Sequence, residues 1–172
     1  MTKTEYKDYL KFELYRGKDL SLISKIRIKY FQPNTNCVYL ARKMWYLYSK
    51  RKISKMRAKF LYLKIIHRYG CVIYPSANVG KGFHITHPVG IVIGDCNIGD
   101  NFMIYQNCSV GTRHYKDAPP HIGNKVMLCS NSLILGNVKV SDGVTIGASS
   151  LVINDINEPG VYAGNPLVKL KG

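Results

Sequence analysis

From Val92 onward a branched aliphatic residue returns at every sixth position: Val92, Ile98, Ile104, Val110, then Ile122, Leu128, Ile134, Val140, Ile146 and Val152. Such a period matches neither the helical repeat of roughly 3.6 nor plain strand alternation, and over so long a run it predicts a solenoid of stacked β-coils. The series extends backwards through Ile73, Val79, Ile85 and Ile91, one residue out of phase, so one inserted residue near Ile91 and Val92 must be absorbed at a coil corner. Three residues after seven of the ten aliphatics of the later register stand Asn101, Asn107, Lys125, Asn131, Asn137, Gly143 and Ser149. Asn and Gly tolerate positive φ best, so this column predicts corners with left-handed backbone angles. One position further on, Phe102, Cys108, Val126, Ser132, Val138, Val144 and Ser150 are small or apolar enough to pack inside. Three hexads then make one triangular coil of short parallel strands. The period alone leaves the hand of the coil open.

Residues 1–70 read differently. Thr2 followed by Glu5 fits a capping box that opens a helix ending near Gly17. A second helix runs from about Leu20 to Phe31 and must stop at Pro33, and Asn34 or Thr35 can cap a third. The basic and aromatic stretch from Val38 to Arg68 continues as helix, broken near Ser49 and closed before Gly70. Within it Phe60, Leu61, Leu63, Ile65 and Ile66 crowd one side, interleaved with Lys59, Lys64 and Arg68. Packing on the solenoid or on a neighbouring subunit is one role for that side, and lying on a membrane surface is another.

Charge divides the chain at the same place. Residues 1–70 carry 18 Lys and Arg against 4 acids, while residues 71–172 carry 7 against 6, so nearly all of the net +15 lies in front. Such a segment suits an anionic partner, whether membrane surface, pyrophosphate-linked substrate or acidic polysaccharide, or else presents solvated helix faces. No recognition motif points to nucleic acid. The charged start does not resemble a signal peptide, no apolar run is long enough to span a membrane, and Cys37, Cys71, Cys96, Cys108 and Cys129 read as packing residues in a reducing cytoplasm.

A flat solenoid side needs something added to make a pocket. Between Val110 and Ile122 the aliphatic is replaced by Lys116 inside GTRHYKDAPPH, which predicts an extruded loop over residues 111–121. Arg113, His114, Lys116, Asp117 and His121 are its candidate acceptor contacts, or the polar face of a solvated loop. His87 lies two positions after the core aliphatic Ile85, one coil before Gln106, which places the two side by side on the coil.

The run GFHITHPVGIVIG around His87, the hexads, the loop, PHIGNKVMLCSNSLILGNVKV and the ending GVYAGNPLVKL resemble the serine acetyltransferase branch of the hexapeptide-repeat acyltransferases. Among these the chain looks closest to the members found with capsule and exopolysaccharide genes. The resemblance implies an all-β core, a left-handed parallel β-helix over 71–172, behind an α-helical segment over 1–70. It further implies acetyl-coenzyme A as co-substrate, no metal, His87 as general base, and active sites between subunits of a homotrimer. By the same likeness Gly111 supplies a backbone oxyanion donor, and Ser130 and Ala148 border the pantetheine arm. Lys169 and Lys171 would meet the nucleotide phosphates, and Gln106, Tyr105 or a carbonyl would orient His87.

A neutral imidazole removes the proton of an attacking hydroxyl near neutral pH, which is worth about 10²–10⁴ in rate. Serine acetyltransferases carry an acid before that histidine, a second aspartate and an arginine-histidine pair; here these positions hold Thr86, Val72, Ala118 and Pro119. A zwitterionic acceptor needs paired charges, so their loss directs the expectation to the hydroxyl of a carbohydrate, either a surface polysaccharide or its precursor, acetylated in the cytoplasm or at the inner membrane face. Serine O-acetylation, N-acetylation of an amino sugar, a non-catalytic basic binding module and a metal site of His84, His87 and His114 are the alternatives.

Overall fold

The computed structural model describes residues 1–114 and 117–171, without the side chain of Lys171. The predicted Lys116 contact therefore falls outside the described residues, as does any role for the Lys171 side chain. Thr2 caps α1 (Lys3–Tyr15) through the expected box: its hydroxyl accepts from Glu5 N at 3.1 Å and its own N–H donates to the Glu5 carboxylate at 2.6 Å. Next comes α2 (Leu22–Phe31), and α3 (Pro33–Tyr48) follows at once with Pro33 in its first turn. Neither Asn34 nor Thr35 is the cap. Proline has no N–H to satisfy, and Thr35 instead turns back to the Gln32 carbonyl at 3.1 Å while Asn36 donates to Lys29 O at 2.8 Å, closing α2. After the break at Ser49, α4 (Lys52–Tyr69) ends on Gly70 at φ 61°, a left-handed residue that terminates the helix.

The rest is a parallel β-solenoid of about five turns. The first turn holds β1 (Val72–Ile73), β2 (Asn78–Val79) and β3 (His84–Ile85). In the second lie β4 (Val92–Ile93), β5 (Asn97–Ile98) and β6 (Met103–Ile104). The third carries β7 (Ser109–Gly111), β8 (His121–Ile122) and β9 (Met127–Leu128), and the fourth β10 (Leu133–Leu135), β11 (Lys139–Val140) and β12 (Val144–Ile146). It closes with β13 (Leu151–Val152), β14 (Gly160–Ala163) and β15 (Val168–Lys171). Face one stacks β1-β4-β7-β10-β13, face two β2-β5-β8-β11, and face three β3-β6-β9-β12-β14-β15. Every described pairing is parallel except β14 with β15, which runs antiparallel.

One side chain per strand points inward, and these form columns down the axis: Ile73, Ile93, Val110, Ile134 and Val152 on face one, and Ile85, Ile104, Leu128 and Ile146 on face three, all buried. The inner corner residues Phe102, Cys108, Val126, Ser132, Val138, Val144 and Ser150 are also buried, as expected. Left-handed angles occur at Asn101, Asn107, Lys125, Asn131, Gly143 and Ser149, but at the fifth of the predicted corners Gly136 takes the positive φ, at 96°, and Asn137 does not.

The phase slip is larger than a single insertion. Ile93, not Val92, pairs in the core column with Ile73 and Val110, and Val92 is 37% exposed. Two residues are added between Ile85 and Ile93, where Ile91 also turns inward, and one is lost between Ile93 and Ile98. The first corner thus bulges and the next is tight.

Around α3, whose Cys37, Ala41 and Met44 are buried, the other helices assemble, and α3 and α4 rest on the first turn. Trp45 Nε1 donates to Tyr74 O at 3.0 Å, and Phe83 stacks on Phe102 with centroids 6.3 Å apart. On α4, Leu61 and Ile65 turn inward whereas Phe60 and Leu63 face solvent, so the apolar residues do not share the one side expected of them.

Candidate active site

The bulged corner between faces three and one carries His87. Thr86 N donates to Ile104 O at 3.0 Å, setting the first turn over the second, and a tight turn follows in which Val89 N donates to His87 O at 2.9 Å. Gln106 occupies the same corner one turn later, since the register pairs Ile85 with Ile104. Ser130 and Ala148 continue the column on the third and fourth turns, joined by Ser149 N to Ser130 O at 2.9 Å. One edge of the prism thus brings together the expected base, its expected neighbour and both residues expected beside the pantetheine arm.

His87 is exposed, and its ring stands edge-on to Tyr105 with centroids 6.4 Å apart. Among the described residues its ring nitrogens have no hydrogen-bond partner within the chain. Beside it two buried oxygens, Thr86 Oγ1 and Gln106 Oε1, are also unpartnered, an arrangement that costs free energy and marks this edge as incomplete.

Face one holds a cavity of about 520 Å³ at its other margin, where the loop leaves. It is lined by Tyr74, Asp95, Gly111, Thr112 and Asp117 among others, and His87 is not part of it. Gly111 does not need to be glycine for the backbone: a Cβ there would meet nothing within 4 Å, so its bareness leaves room in the cavity. As an oxyanion donor it is poorly placed. Ser109 N–H donates to the fourth turn at Ser132 O, 3.1 Å, and Gly111, two residues on, turns its N–H to the same side in register with Leu135. Asp95 and Tyr74 were not anticipated from the sequence; the signal was the hexad shortened by one residue after Ile93, at whose corner Asp95 sits.

The loop residues divide. Arg113 folds back to Leu135 O at 3.4 Å and Ile153 O at 2.7 Å, strapping three turns of face one, so its guanidinium is engaged and not a free acceptor contact. Asp117 accepts from His114 N at 3.0 Å and closes the loop on itself, leaving the His114 residue exposed. His121 lies on face two beside Asn97 and Lys139, away from both His87 and the cavity, because β8 begins there. Lys169 pairs with Glu158 at 2.7 Å, which raises the lysine pKa and offsets the charge expected to meet phosphates. Among the described residues no three His, Cys, Asp or Glu side chains are grouped as metal ligands.

No family model matches the chain. A serine acetyltransferase of Staphylococcus aureus is 35% identical over 133 residues, covering 73% of this chain and 61% of that relative. By sequence the chain is similar to serine acetyltransferases over 73% of its length. It spans 61% of the length of the curated relative it matches. The serine acetyltransferase of Neisseria gonorrhoeae overlays with a TM-score of 0.82 at 25% identity, across 98% of this chain and 66% of that one. One serine acetyltransferase in complex with CoA overlays at 0.80, with 24% identity, 98% of this chain and 71% of the other. The solenoid is accordingly a left-handed parallel β-helix. These relatives carry the serine acetyltransferase name, and they do not show the capsule and exopolysaccharide affinity expected from the sequence.

Proposed function

We propose that this chain is an acetyl-coenzyme A-dependent O-acetyltransferase, with the hydroxyl of serine as its acceptor and His87 as general base. One observation carries the reading: His87, Gln106, Ser130 and Ala148 stack along a single edge, in a fold whose relatives are serine acetyltransferases. The His87 imidazole takes the hydroxyl proton as the oxygen attacks the thioester carbonyl. Collapse of the tetrahedral intermediate breaks the carbon–sulfur bond, and the departing thiolate recovers the proton from the imidazolium as free coenzyme A.

The cavity and His87 lie at opposite margins of face one, so a complete site requires a second copy whose cavity meets this edge, as in the homotrimer that the resemblance implies. The unpartnered oxygens of Thr86 and Gln106 support that reading.

Acetylation of a sugar hydroxyl is the second reading, and a specific feature favours it. Among the described residues that line the cavity the ionisable side chains are Tyr74, Asp95 and Asp117, with no cation to receive the carboxylate of serine. Two carboxylates and a tyrosine suit the hydroxyls of a carbohydrate well. Mass spectrometry of the products formed from acetyl-coenzyme A with serine, nucleotide sugars or oligosaccharides separates the two: turnover of serine at least tenfold above any sugar supports the first, and the reverse order overturns it.

A further inference from the structure

Helix α4 meets α3 and the first turn through Ala58 and Ile65, with Leu61 and Tyr62 partly buried beside them. Its opposite side carries Ile53, Met56, Phe60 and Leu63. Spacings of three, four and three residues put all four on one stripe of an α-helix, and they are 47% to 75% exposed. Lys59 and Lys64 stand on either side of that stripe, and the helix holds six Lys and Arg with no Asp or Glu. The outward side of α2 repeats the theme: Leu22, Ile23 and Phe31 are each more than 70% exposed, on a helix equally free of acids.

An apolar stripe this bare, bordered by cations, marks an interaction surface, and its charge says which kind. A second copy would set two cationic stripes against each other, and the remaining 102 residues of such a copy, with 6 acids against 7 bases, offer no anionic field to receive one. No helix among the described residues is long and apolar enough to cross a membrane. What fits is an anionic surface with an apolar layer beneath it. We propose that α4 docks this chain on an anionic lipid bilayer, lying in the interfacial plane with Ile53, Met56, Phe60 and Leu63 turned toward the acyl boundary and Lys59 and Lys64 among the headgroup phosphates.

The test is flotation of the full chain with vesicles of phosphatidylcholine alone or mixed with phosphatidylglycerol. The chain is expected to float with the mixed vesicles, less so as salt rises, and to remain behind with pure phosphatidylcholine. Because the altered side chains are exposed, Phe60→Ser/Leu63→Ser and Lys59→Glu/Lys64→Glu keep the helical circular dichroism, and each lowers partitioning at least tenfold. Failure to float with the mixed vesicles, or equal flotation with both, overturns the proposal. Loss on charge reversal with none on the serine pair overturns it too, because contact would then be by charge alone. A change in sedimentation coefficient in either double variant would place the stripe between copies of the chain and overturn the bilayer as its occupant.

Discussion

Glu13 and Arg42 form a two-pronged ion pair whose side chains are both fully buried, with Arg42 Nη2 and Nε donating to the carboxylate at 2.7 and 2.9 Å. The carboxylate also accepts the N–H groups of Gly82 and Phe83, each at 2.9 Å. Arg42 donates in turn to Val79 O, at 2.6 Å, and to Gly80 O. Two helix side chains thereby satisfy four backbone groups of the first turn, which fixes the helical segment to the solenoid. Burial pushes the Glu13 carboxyl pKa up, and Arg42 with the two amides pulls against that rise.

Removing one partner leaves the other buried and unpaired. Arg42→Met is expected to cost about 3–5 kcal/mol of stability, as broken buried pairs do. Glu13→Leu combined with Arg42→Met should recover part of that loss, because no charge then stays buried. Urea unfolding followed by circular dichroism measures both; a double variant no more stable than the single one would mean that the backbone bonds, not the pair, hold the junction.

His87→Ala should lower the turnover of acetyl-coenzyme A by about 10²–10⁴, the usual worth of general-base assistance, with an unchanged thermal midpoint because the residue is exposed. A loss under tenfold in a folded variant would remove His87 as base.

Gly111→Val places a side chain where a Cβ meets nothing within 4 Å and projects it into the cavity. Stability is expected to stay within about 0.5 kcal/mol, the range of substitutions that touch no packed feature. The KM for the acceptor should rise at least tenfold, with that for acetyl-coenzyme A little changed. If both constants are unaffected, the acceptor does not use this cavity.

Burial, and behind it the Arg16 charge, holds the His84 imidazole below its ordinary pKa. The folded chain then resists a proton that the unfolded chain takes up from about pH 6.5 downward, so stability is lost as pH falls through that value toward the depressed folded one. Denaturation midpoints at pH 7.5 and 5.5 should differ less in His84→Asn than in the natural chain. Equal differences would place the acid sensitivity elsewhere.

The solenoid was legible because a coil corner repeats a physical demand: one inward aliphatic per strand and one residue tolerant of positive φ at each bend. Reading failed where that demand was shared. At Ile91, Val92 and Ile93 three branched aliphatics stand in a row, and only the neighbouring turns decide that Ile93 takes the column. At Gly136 and Asn137 two adjacent residues can each take a left-handed angle, and glycine does so at the lower steric cost. The edge formed by His87, Gln106, Ser130 and Ala148 follows from counting hexads, since position within a turn is additive along the chain. The fates of Arg113 and Lys169 do not, because a long side chain selects its partner in space: Ile153 O for Arg113 and Glu158 for Lys169.

The antiparallel pairing of β15 on β14, whose register shifts between Val161 and Tyr162, gives face three a last strand that cannot continue its parallel ladder. A parallel stack adds units end to end wherever an open edge repeats the ladder, and a reversed, shifted strand offers a docking turn the wrong polarity. At the opposite end α3 and α4 already occupy the first turn. Addition of a further parallel coil is thus opposed on face three at one pole and across the first turn at the other.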